Sequence, residues 1–249
     1  MQDLKISLIT VCFNAENTIN QCIQSVFSQN FKNVEYIIVD GGSTDKTVEI
    51  INQYKDKINI FLSEPDDGIY DAMNKGIKLA GGDIIGMLNA DDSFADNNTL
   101  STVAEAFKQS NARIIYGDLD FVNSHGSIVR KWRTGQYSHG LFNWGWMPPH
   151  PTFYCKRELF HQFGYYSLEY GTAADYELML RFMHLNRINA FYIKKVLIGM
   201  KIGGISNKRI DNRVKGLFFD LKAMRNNDIL FPLITLIFKP LRKVNQYFR

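Results

Sequence analysis

The stretch Ile6-Ser-Leu-Ile-Thr-Val-Cys-Phe13 is an almost uninterrupted apolar and β-branched run, and the polar residue Asn14 follows it directly. Such a run is typical of a strand that is buried on both faces, as in a parallel sheet. Residues 19–27 then carry apolar side chains at helical spacing, which predicts a helix. A second apolar run over 34–40 predicts another strand, so the chain opens with a β-α-β unit and a right-handed crossover.

The alternation of strand and helix patterns continues to residue 110. The further elements predicted here are a helix over 45–54, a strand over 58–62, a helix over 69–80, a strand over 84–88 and a helix over 99–110. Three successive β-α-β units predict an α/β fold with a mainly parallel central sheet that is flanked by helices.

The second half of the chain has shorter and more mixed patterns. They predict a hairpin over 114–122 and 127–132, a helix over 174–184, short strands over 190–193 and 196–200, and a basic helical segment that begins at 203–206 and ends near 226. We expect one domain over 1–205, built from a half over 1–112 and a half over 113–205. A basic helical C-terminal extension over 206–249 follows it.

Composition excludes several classes of protein. The 249 residues are 45% hydrophobic and 22% charged, which is unlike a disordered chain. Three widely spaced cysteines form neither a disulfide framework nor a C-x-x-C metal site, which favours a reducing compartment. No signal peptide is visible, and the longest apolar run, 229–238, is shorter than the roughly 18 residues of a membrane span. We therefore expect a cytoplasmic protein.

Charge is concentrated at the C-terminal end. The net charge is +4, but residues 206–249 hold ten Lys or Arg and three Asp or Glu. Nucleic-acid binding is disfavoured, since the basic residues are confined to this tail and no nucleic-acid-reading motif is present. The tail is interpreted either as a helix packed on the domain, or as an anchor lying on an anionic membrane surface. Pro232 and Pro240 are expected to divide it into short pieces.

Polar and acidic residues follow each predicted strand of the first half, at 13–14, 40–43, 64–68 and 89–92. The carboxyl ends of the strands are the edge at which open α/β sheets bind ligands. Neither G-x-G-x-x-G nor G-x-x-x-x-G-K-[ST] occurs, which disfavours a dinucleotide dehydrogenase and a P-loop ATPase. A ligand would have to be bound by side chains and short turns.

Four acidic positions and one lysine are the candidate chemical groups. Asp91-Asp92 offers hard oxygen ligands for Mg²⁺ or Mn²⁺, with the larger share expected from Asp92, although Asp92 is also a plausible turn cap. Asp40 can accept hydrogen bonds from a base or ribose, or simply close a turn. Lys75 can neutralise a phosphate. Asp175, at the start of a predicted helix, is suited to a general base or to a helix-start residue.

Six segments together resemble the family-two inverting glycosyltransferases of the GT-A fold, in particular the bacterial branch that builds O-antigen, capsule and exopolysaccharide. They are Thr10-Val-Cys-Phe-Asn14, Val39-Asp-Gly-Gly-Ser-Thr-Asp-Lys-Thr47, Asp67-Gly-Ile-Tyr-Asp-Ala-Met-Asn-Lys-Gly76, Leu88-Asn-Ala-Asp-Asp92, His150-Pro-Thr-Phe153 and Ala174-Asp-Tyr-Glu-Leu178. The resemblance covers roughly residues 5–205.

The resemblance implies a role for each matched position. The donor nucleotide sugar would be bound by Thr10, Asn14, Glu16, Asp40, Ser43, Asp71, Asn74, Lys75, Asn89, Ala90 and Asp91. Asp91 and Asp92 would hold Mn²⁺ or Mg²⁺, and Asp175 would be the catalytic base. Trp146, His150 and Thr152 would lie on the acceptor side. Asn89 departs from the family's D-x-D motif, which puts its ribose contact in doubt.

The implied reaction transfers a sugar from a UDP- or dTDP-sugar to a hydroxyl of a saccharide acceptor that is polyprenyl-linked. The protein would then act at the inner face of the cytoplasmic membrane. Two alternatives stay open at this point: a sugar-phosphate nucleotidyltransferase, and a non-catalytic nucleotide-sugar-binding protein. The first alternative lacks its glycine- and arginine-rich loop after the first strand, where residues 13–17 read Phe-Asn-Ala-Glu-Asn.

Overall fold

A computed structural model describes residues 4–202, 210–244 and 246. Its strands are β1 (Ile6–Cys12), β2 (Val34–Asp40), β3 (Ile60–Ser63), β4 (Ile84–Met87), β5 (Asp92–Phe94), β6 (Ile114–Val122), β7 (Ile128–Trp132), β8 (Tyr154–Lys156) and β9 (Ala190–Lys201). Its helices are α1 (Ile19–Phe27), α2 (Thr47–Asn52), α3 (Ile69–Leu79), α4 (Thr99–Gln109), α5 (Glu158–Phe163), α6 (Ala174–Met179), α7 (Ile210–Asn226) and α8 (Pro232–Val244).

The strands described form one mixed sheet in the order β3-β2-β1-β4-β8-β6-β9-β5, with β7 paired to β6. Strands β1 to β4 pair in parallel with one another, and β9 pairs in parallel with β6. β8 pairs antiparallel with both β4 and β6, while β5 and β7 each add one more antiparallel pairing. The parallel half confirms the predicted β-α-β units, and β6 continues in the same direction beside them.

Alternating residues of the strands build a core on each face of the sheet. Ile9, Val11 and Ile37 face α3 and the segment around α6, whereas Leu8 and Ile38 face α1 and α4. This two-sided burial explains why β1 and β2 read as continuous apolar runs rather than alternating ones. The carboxyl ends of β1 to β4 consequently meet at one edge, where polar loops replace the apolar pattern.

The predicted break at 194–195 is a bulge inside one long strand. Tyr192 pairs with Tyr116, and Val196 pairs with Asp118, so β9 carries two more residues than β6 between these pairs. A bulge leaves its extra residues unpaired and interrupts the two-residue period of a strand. The two short strands predicted here are therefore the single strand β9.

Other differences concern short or irregular elements. The patterns did not predict β5, β8 or α5, which contain three to six residues each. The helix predicted over 174–184 begins as α6 and continues as a π-helical turn, Leu180–Leu185. The predicted start of the basic segment, at 203–206, lies outside the described residues.

The C-terminal helices pack on the domain. Ala223 and Met224 of α7 and Ile229 after it are buried in the core that also contains α3 and α6. α7 ends at Asn226 and α8 begins at Pro232, as the predicted break there requires, but α8 continues through Pro240, so the predicted break at Pro240 is wrong. Pro232 occupies the first helical position, where no backbone N–H is needed. Within the described residues, no helix combines the length and apolar character needed to cross a membrane.

Candidate active site

The loops after β1 and β2 are joined by hydrogen bonds between side chains and backbone. The Asn14 N–H donates to Ser43 Oγ (2.8 Å), and the Thr44 N–H donates to Asn14 Oδ1 (2.9 Å). The Glu16 carboxylate accepts the N–H of Lys46 (3.1 Å). Asn14 adopts φ 48°, a left-handed conformation that asparagine tolerates better than most residues. The predicted donor-binding residues Asn14, Glu16 and Ser43 thus lie together at the carboxyl edge of the sheet.

Two predicted donor contacts are replaced by structural roles. Asp40 is fully buried, and its carboxylate accepts the N–H groups of Gly42 and Ser43 and the hydroxyls of Ser43 and Ser63. Its acceptor sites are filled by the turn itself. Thr10 is also fully buried, and its hydroxyl accepts from Tyr36 Oη at 3.2 Å. We correct both predictions: neither side chain reaches the surface where a nucleotide would bind.

Phe13 and Asp66 are two further candidate site residues that the sequence did not single out. Phe13 is 54% exposed at the end of β1, next to Asn14. Asp66 Oδ2 lies 2.3 Å from the position that a Cβ on Gly41 would take, so glycine at 41 makes room for this carboxylate. Two signals in the sequence could have pointed to these residues: an aromatic residue directly after an apolar strand, and a glycine at position 41. Their meaning becomes clear only when the positions of the loops are known.

The loop after β4 holds the predicted metal ligands. Asn89 Nδ2 donates to Asp92 Oδ2 at 3.1 Å, while Asn89 Oδ1 and Asp92 Oδ1 are buried and have no hydrogen-bond partner among the described residues. Burial raises the pKa of Asp91. Burial and the charge of Asp91 raise the pKa of Asp92 well above its ordinary value.

These residues fit a divalent cation that is shared with a ligand. No group of three or more His, Cys, Asp or Glu side chains is placed to hold a metal in the part of the chain that the structure describes. Mg²⁺, however, is often held by one or two carboxylates together with substrate phosphate oxygens. A bound cation would give Asn89 Oδ1 and Asp92 Oδ1 the partner that they lack, and it would stabilise the ionised form of the neighbouring carboxylates.

The structure changes the expected ranking of the two carboxylates. Asp92 is 2% exposed and begins β5, where it pairs with Met200 of β9. Asp91 is half-buried and lies closer to solvent, with Lys201 near enough to lower its pKa partially. Asp91 is therefore the better candidate for a direct ligand. Asp92 is better suited to hold Asn89 and the turn behind it.

Asp175 is the second residue of α6, and two hydrogen-bond donors orient its carboxylate. Its Oδ1 accepts the backbone N–H of Tyr176 at 2.8 Å and the hydroxyl of Tyr70 at 3.1 Å. The charge of Asp175 raises the pKa of Tyr70, in addition to the larger effect of burial. The Asp175 carboxylate is half-buried and oriented by two donors near the start of a helix, which is an arrangement suited to a general base.

His150 lies in the same neighbourhood as Asp175. Its Nε2 is 2.7 Å from the hydroxyl of Tyr166, and the ring of Tyr166 packs on that of Tyr70. Burial lowers the pKa of His150, with a smaller opposing effect from the charge of Asp175. A lowered pKa favours the neutral imidazole at neutral pH. His150 thus lies beside the predicted base, on the predicted acceptor side.

Helix α3 connects the strand-end loop to Asp175. Asp66 accepts the N–H of Gly68, and Tyr70, two residues later, contacts Asp175. Lys75 binds Glu64 at 2.9 Å and the carbonyl of Pro65 at 2.7 Å. The predicted donor-binding residue Lys75 is consequently engaged in closing this loop.

Two more predicted donor residues lie on α3. The Asp71 carboxylate accepts the N–H of Asp67 at 3.2 Å. Asn74 is buried and forms two hydrogen bonds with the backbone of Tyr166, at 2.8 and 3.0 Å. We correct the prediction for Asn74, because both ends of its amide are used to hold the segment that carries Tyr166.

Two of the predicted acceptor-side residues are part of the packed interior. Thr152 is fully buried, and its hydroxyl donates to the carbonyls of Gly117 and Pro149. The Trp146 indole donates to the carbonyl of Thr134 at 2.9 Å, and its ring packs on Tyr137 and Phe142. Thr152 is corrected to a core position. Trp146 also lines a cavity.

Ala90 is buried within the loop after β4, so only its backbone is suited to a ligand. The structure thus brings together Asn14, Glu16, Ser43, Asp71, Asn89 and Asp91 with Asp175 and His150 around the carboxyl edge of the parallel strands. Their direct contacts with a donor or acceptor stay predictions.

Comparison with known proteins identifies the family of this chain. Residues 7–170 match the model of glycosyl transferase family 2. A PGL/p-HBAD biosynthesis glycosyltransferase of Mycobacterium bovis (strain BCG / Pasteur 1173P2) is 29% identical over 210 residues, which cover 82% of this chain and 80% of the relative. An uncharacterized glycosyltransferase of Mycobacterium tuberculosis (strain CDC 1551 / Oshkosh) is 31% identical over 188 residues, covering 71% and 68% of the two chains.

Among solved structures, residues 1–349 of S. aureus TarS in complex with UDP-GlcNAc superpose with a TM-score of 0.72 at 20% identity. The match covers 98% of this chain and 73% of TarS 1–349. At these identities the likeness shows the fold, which confirms the expected GT-A architecture. The family match, which spans more than half of the sequence, shows that this chain belongs to glycosyl transferase family 2.

Proposed function

We propose that this protein is an inverting glycosyltransferase that moves a sugar from a UDP- or dTDP-sugar to a hydroxyl of an acceptor. The observation that carries the proposal is the position of Asp175. Its carboxylate is oriented by Tyr70 and by the Tyr176 N–H, and α3 links it to the loops at the carboxyl edge of the sheet. A donor bound at that edge would lie next to a fixed base.

Structural neighbours support a nucleotide-sugar donor, and two loop residues support uracil or thymine as its base. TarS is described with UDP-GlcNAc, and the mannosyltransferase PcManGT from Pyrobaculum calidifontis with GDP-Man and Mn²⁺. PcManGT is 15% identical with a TM-score of 0.68, over 95% of this chain and 72% of PcManGT. The exposed ring of Phe13 is suited to stack on a base, and the Asp66 carboxylate is suited to accept the N3–H of uracil or thymine.

Asp91, with Asn89 and Asp92 behind it, would hold Mn²⁺ or Mg²⁺. When bound, such an ion neutralises charge on the diphosphate leaving group. The remaining parts of the donor would be contacted by Asn14, Glu16, Ser43, Asp71, Lys75 and the backbone of Ala90.

Asp175 removes the proton of the acceptor hydroxyl in this proposal. The oxygen then attacks the anomeric carbon from the side opposite the nucleotide diphosphate, and the bond from that carbon to the diphosphate oxygen breaks. One displacement of this kind inverts the anomeric centre and requires no enzyme nucleophile. Tyr70 keeps the Asp175 carboxylate in place, and neutral His150 lies on the side from which the acceptor would approach.

The acceptor is proposed to be a saccharide that is linked to a polyprenyl carrier, as in the synthesis of bacterial surface polysaccharides. The protein would then work in the cytoplasm, at the inner face of the membrane. Exposed apolar side chains on α8, such as Leu233, Ile237 and Leu241, support this placement. A row of this kind suits the interface of a membrane rather than its interior.

The Asp175→Asn variant tests the proposed chemistry. We expect it to bind UDP with Mn²⁺ like wild type. Release of UDP from UDP-GlcNAc or another accepted UDP-sugar should fall by at least about a hundredfold, as is usual for loss of a general base. Calorimetry measures the first property and a coupled UDP assay the second. Unchanged turnover in Asp175→Asn would move the base elsewhere, and failure of wild type to bind any UDP- or dTDP-sugar would overturn the donor assignment.

A further inference from the structure

A cavity of about 790 Å³ lies between β7, the first half of β9 and α8, apart from the strand-end loops of the candidate donor site. Its wall carries six cationic side chains: Lys131, Arg133, Lys194, Lys239, Arg242 and Lys243. No carboxylate lines it among the residues that the structure describes. Its volume is in the range of small-molecule sites in proteins.

Three of these cations have protein partners. Arg133 binds Asp120 at 2.6 Å, Lys239 binds Asp220 at 2.6 Å, and the Arg242 Nε donates to the carbonyl of Trp144. Lys131, Lys194 and Lys243 form no ion pair with any described residue. The cavity therefore presents uncompensated positive charge on three of its walls.

Like charges held close together raise the free energy of the folded protein. Lys239 and Lys243 are four residues apart on α8, so their ammonium groups lie on the same side of the helix, and both line the cavity. An anion in the cavity would relieve this repulsion, and lysine is a common partner of phosphate. The charge pattern thus indicates a ligand with more than one negative charge.

One wall of the cavity, α8, contacts α6, the helix that carries Asp175. The ammonium of Lys239 lies 3.6 Å from the centre of the Tyr176 ring, and Tyr176 follows Asp175 directly. Tyr176 therefore links the cavity wall to the helix that carries the proposed base.

The cavity wall also has an apolar part. Trp132, Trp146 and Phe191 line it together with Met147. α8 contributes Lys239, Arg242 and Lys243 to the cavity, and it exposes an apolar row on its other side. The same helix thus offers cations to an anionic group and apolar side chains to a lipid.

We propose that this cavity binds the diphosphate of a lipid-linked acceptor, with Lys131, Lys194 and Lys243 as its principal ligands. The proposal rests on the proposed function and names the part of the acceptor that the enzyme recognises. The cations bind the diphosphate, and the aromatic wall packs on the first units of the prenyl chain. The acceptor saccharide is thereby held toward Asp175.

The test is calorimetric titration of the full-length protein with farnesyl diphosphate, a short prenyl diphosphate, in buffer with EDTA. We expect binding to wild type and a loss of about tenfold or more in the Lys131→Gln/Lys194→Gln double variant, since each removed lysine takes away a charge-assisted contact. Lys108→Gln, on the exposed side of α4, is the matched control and should bind like wild type. Farnesol and inorganic pyrophosphate should each bind more weakly than farnesyl diphosphate.

Several outcomes would overturn the proposal. Equal affinity of wild type and the double variant would exclude the lysines, and equal affinity for farnesol would exclude recognition of the diphosphate. Pyrophosphate that binds as tightly as farnesyl diphosphate would exclude the lipid part. Asp91→Asn should leave farnesyl diphosphate binding unchanged, and competition by UDP would place the ligand in the donor site instead. Mn²⁺-dependent UDP binding, measured on the same samples, tests the proposed donor site separately, and thermal unfolding confirms that each variant is folded.

Discussion

Asp92 places a carboxylate in the interior beside a second carboxylate, without an ion pair among the described residues. Burial and the charge of Asp91 raise its pKa well above the ordinary value of 3.8. Between these two pKa values the folded state binds more protons than the unfolded state, so the free energy of unfolding falls as pH rises through this window. Well below pH 3.8 Asp92 is protonated in both states and does not destabilise the fold. At pH values above the pKa of Asp92 in the folded state, the full cost of burying its charge lowers the free energy of unfolding.

We therefore expect Asp92→Asn to unfold at a higher temperature than wild type at pH 7, and at nearly the same temperature near pH 4. The amide keeps the shape and the contact with Asn89 but carries no charge. Each 1 kcal/mol gained corresponds to about 2–4 °C for a chain of this size. Scanning calorimetry at several pH values in EDTA measures this effect, and a variant less stable than wild type at pH 7 would refute it.

Asp91 is expected to govern metal-dependent donor binding. We expect Asp91→Asn to weaken Mn²⁺-dependent UDP binding by about 100-fold or more, because loss of an outer-shell partner alone typically costs about 10–100-fold. Asp92→Asn should fall in that lower range. Calorimetry with and without Mn²⁺ separates the metal-dependent part, and Asp56→Asn, in an exposed turn, serves as control. A larger loss in Asp92→Asn than in Asp91→Asn would restore the order that the sequence suggested.

At the scale of the element, a largely buried ion pair between Glu177 and Arg181 holds α6 in place. Arg181 binds Glu177 at 2.9 Å and donates to the carbonyls of Phe163, Gly164 and Tyr165. The Glu177 carboxylate is almost fully buried, and Asn227 after α7 also approaches it. These contacts join α6, the loop before it and the C-terminal helices, and they fix the helix that begins next to Asp175.

We expect Arg181→Gln to lower the free energy of unfolding by about 3–5 kcal/mol, since it leaves the Glu177 charge buried without its partner. Urea denaturation followed by circular dichroism measures the loss. Arg225→Gln, on the exposed side of α7, should change stability little. An Arg181→Gln variant as stable as Arg225→Gln would show that the pair contributes nothing to holding α6.

At the scale of the whole molecule, the C-terminal helices have two faces with different environments. One face of α8 packs on the domain through Thr235 and Lys239. The other exposes Leu233, Ile237 and Leu241, each more than half exposed. An exposed apolar row on a helix that also carries cations would suit contact with an anionic membrane surface.

We expect the full-length protein to sediment with phosphatidylglycerol-containing liposomes at low salt, and less so as salt screens the cations. The triple variant Leu233→Gln/Ile237→Gln/Leu241→Gln should lose binding by at least about tenfold, because each buried apolar side chain contributes roughly 1.5–3 kcal/mol. Its UDP binding should not change. Ile128→Gln/Val129→Gln, exposed on β7, is the matched control. Wild type that ignores such liposomes, or a triple variant that binds as well as wild type, would exclude the membrane role of α8.

The parallel half of the fold and the location of the site were predictable because both depend on local patterns. Apolar runs such as 6–13 predict buried strands, and the polar residues after them mark the edge where parallel strands end. Asp175 and Asp91 were singled out from the start of a helix and the end of a strand, together with the family resemblance, and their roles stay predictions. The sequence by itself thus determined the α/β class and the chemical groups that are available at the candidate site.

Only the tertiary structure decided which of those groups are buried and which are accessible to a ligand. Thr10, Asn74 and Thr152 are polar side chains with partners 26, 92 and 35 residues away in the chain, so their burial could not be foreseen from neighbouring residues. The turn that Asp40 closes is local, but the hydroxyl of Ser63 that also binds it comes from β3. The same holds for the bulge in β9, the unbroken helix α8 and the cavity whose cations come from three distant segments. Hydrogen bonds and charge repulsion act between groups that the fold brings together. Their energies depend on the distance between the groups in space and not on the number of residues between them in the chain.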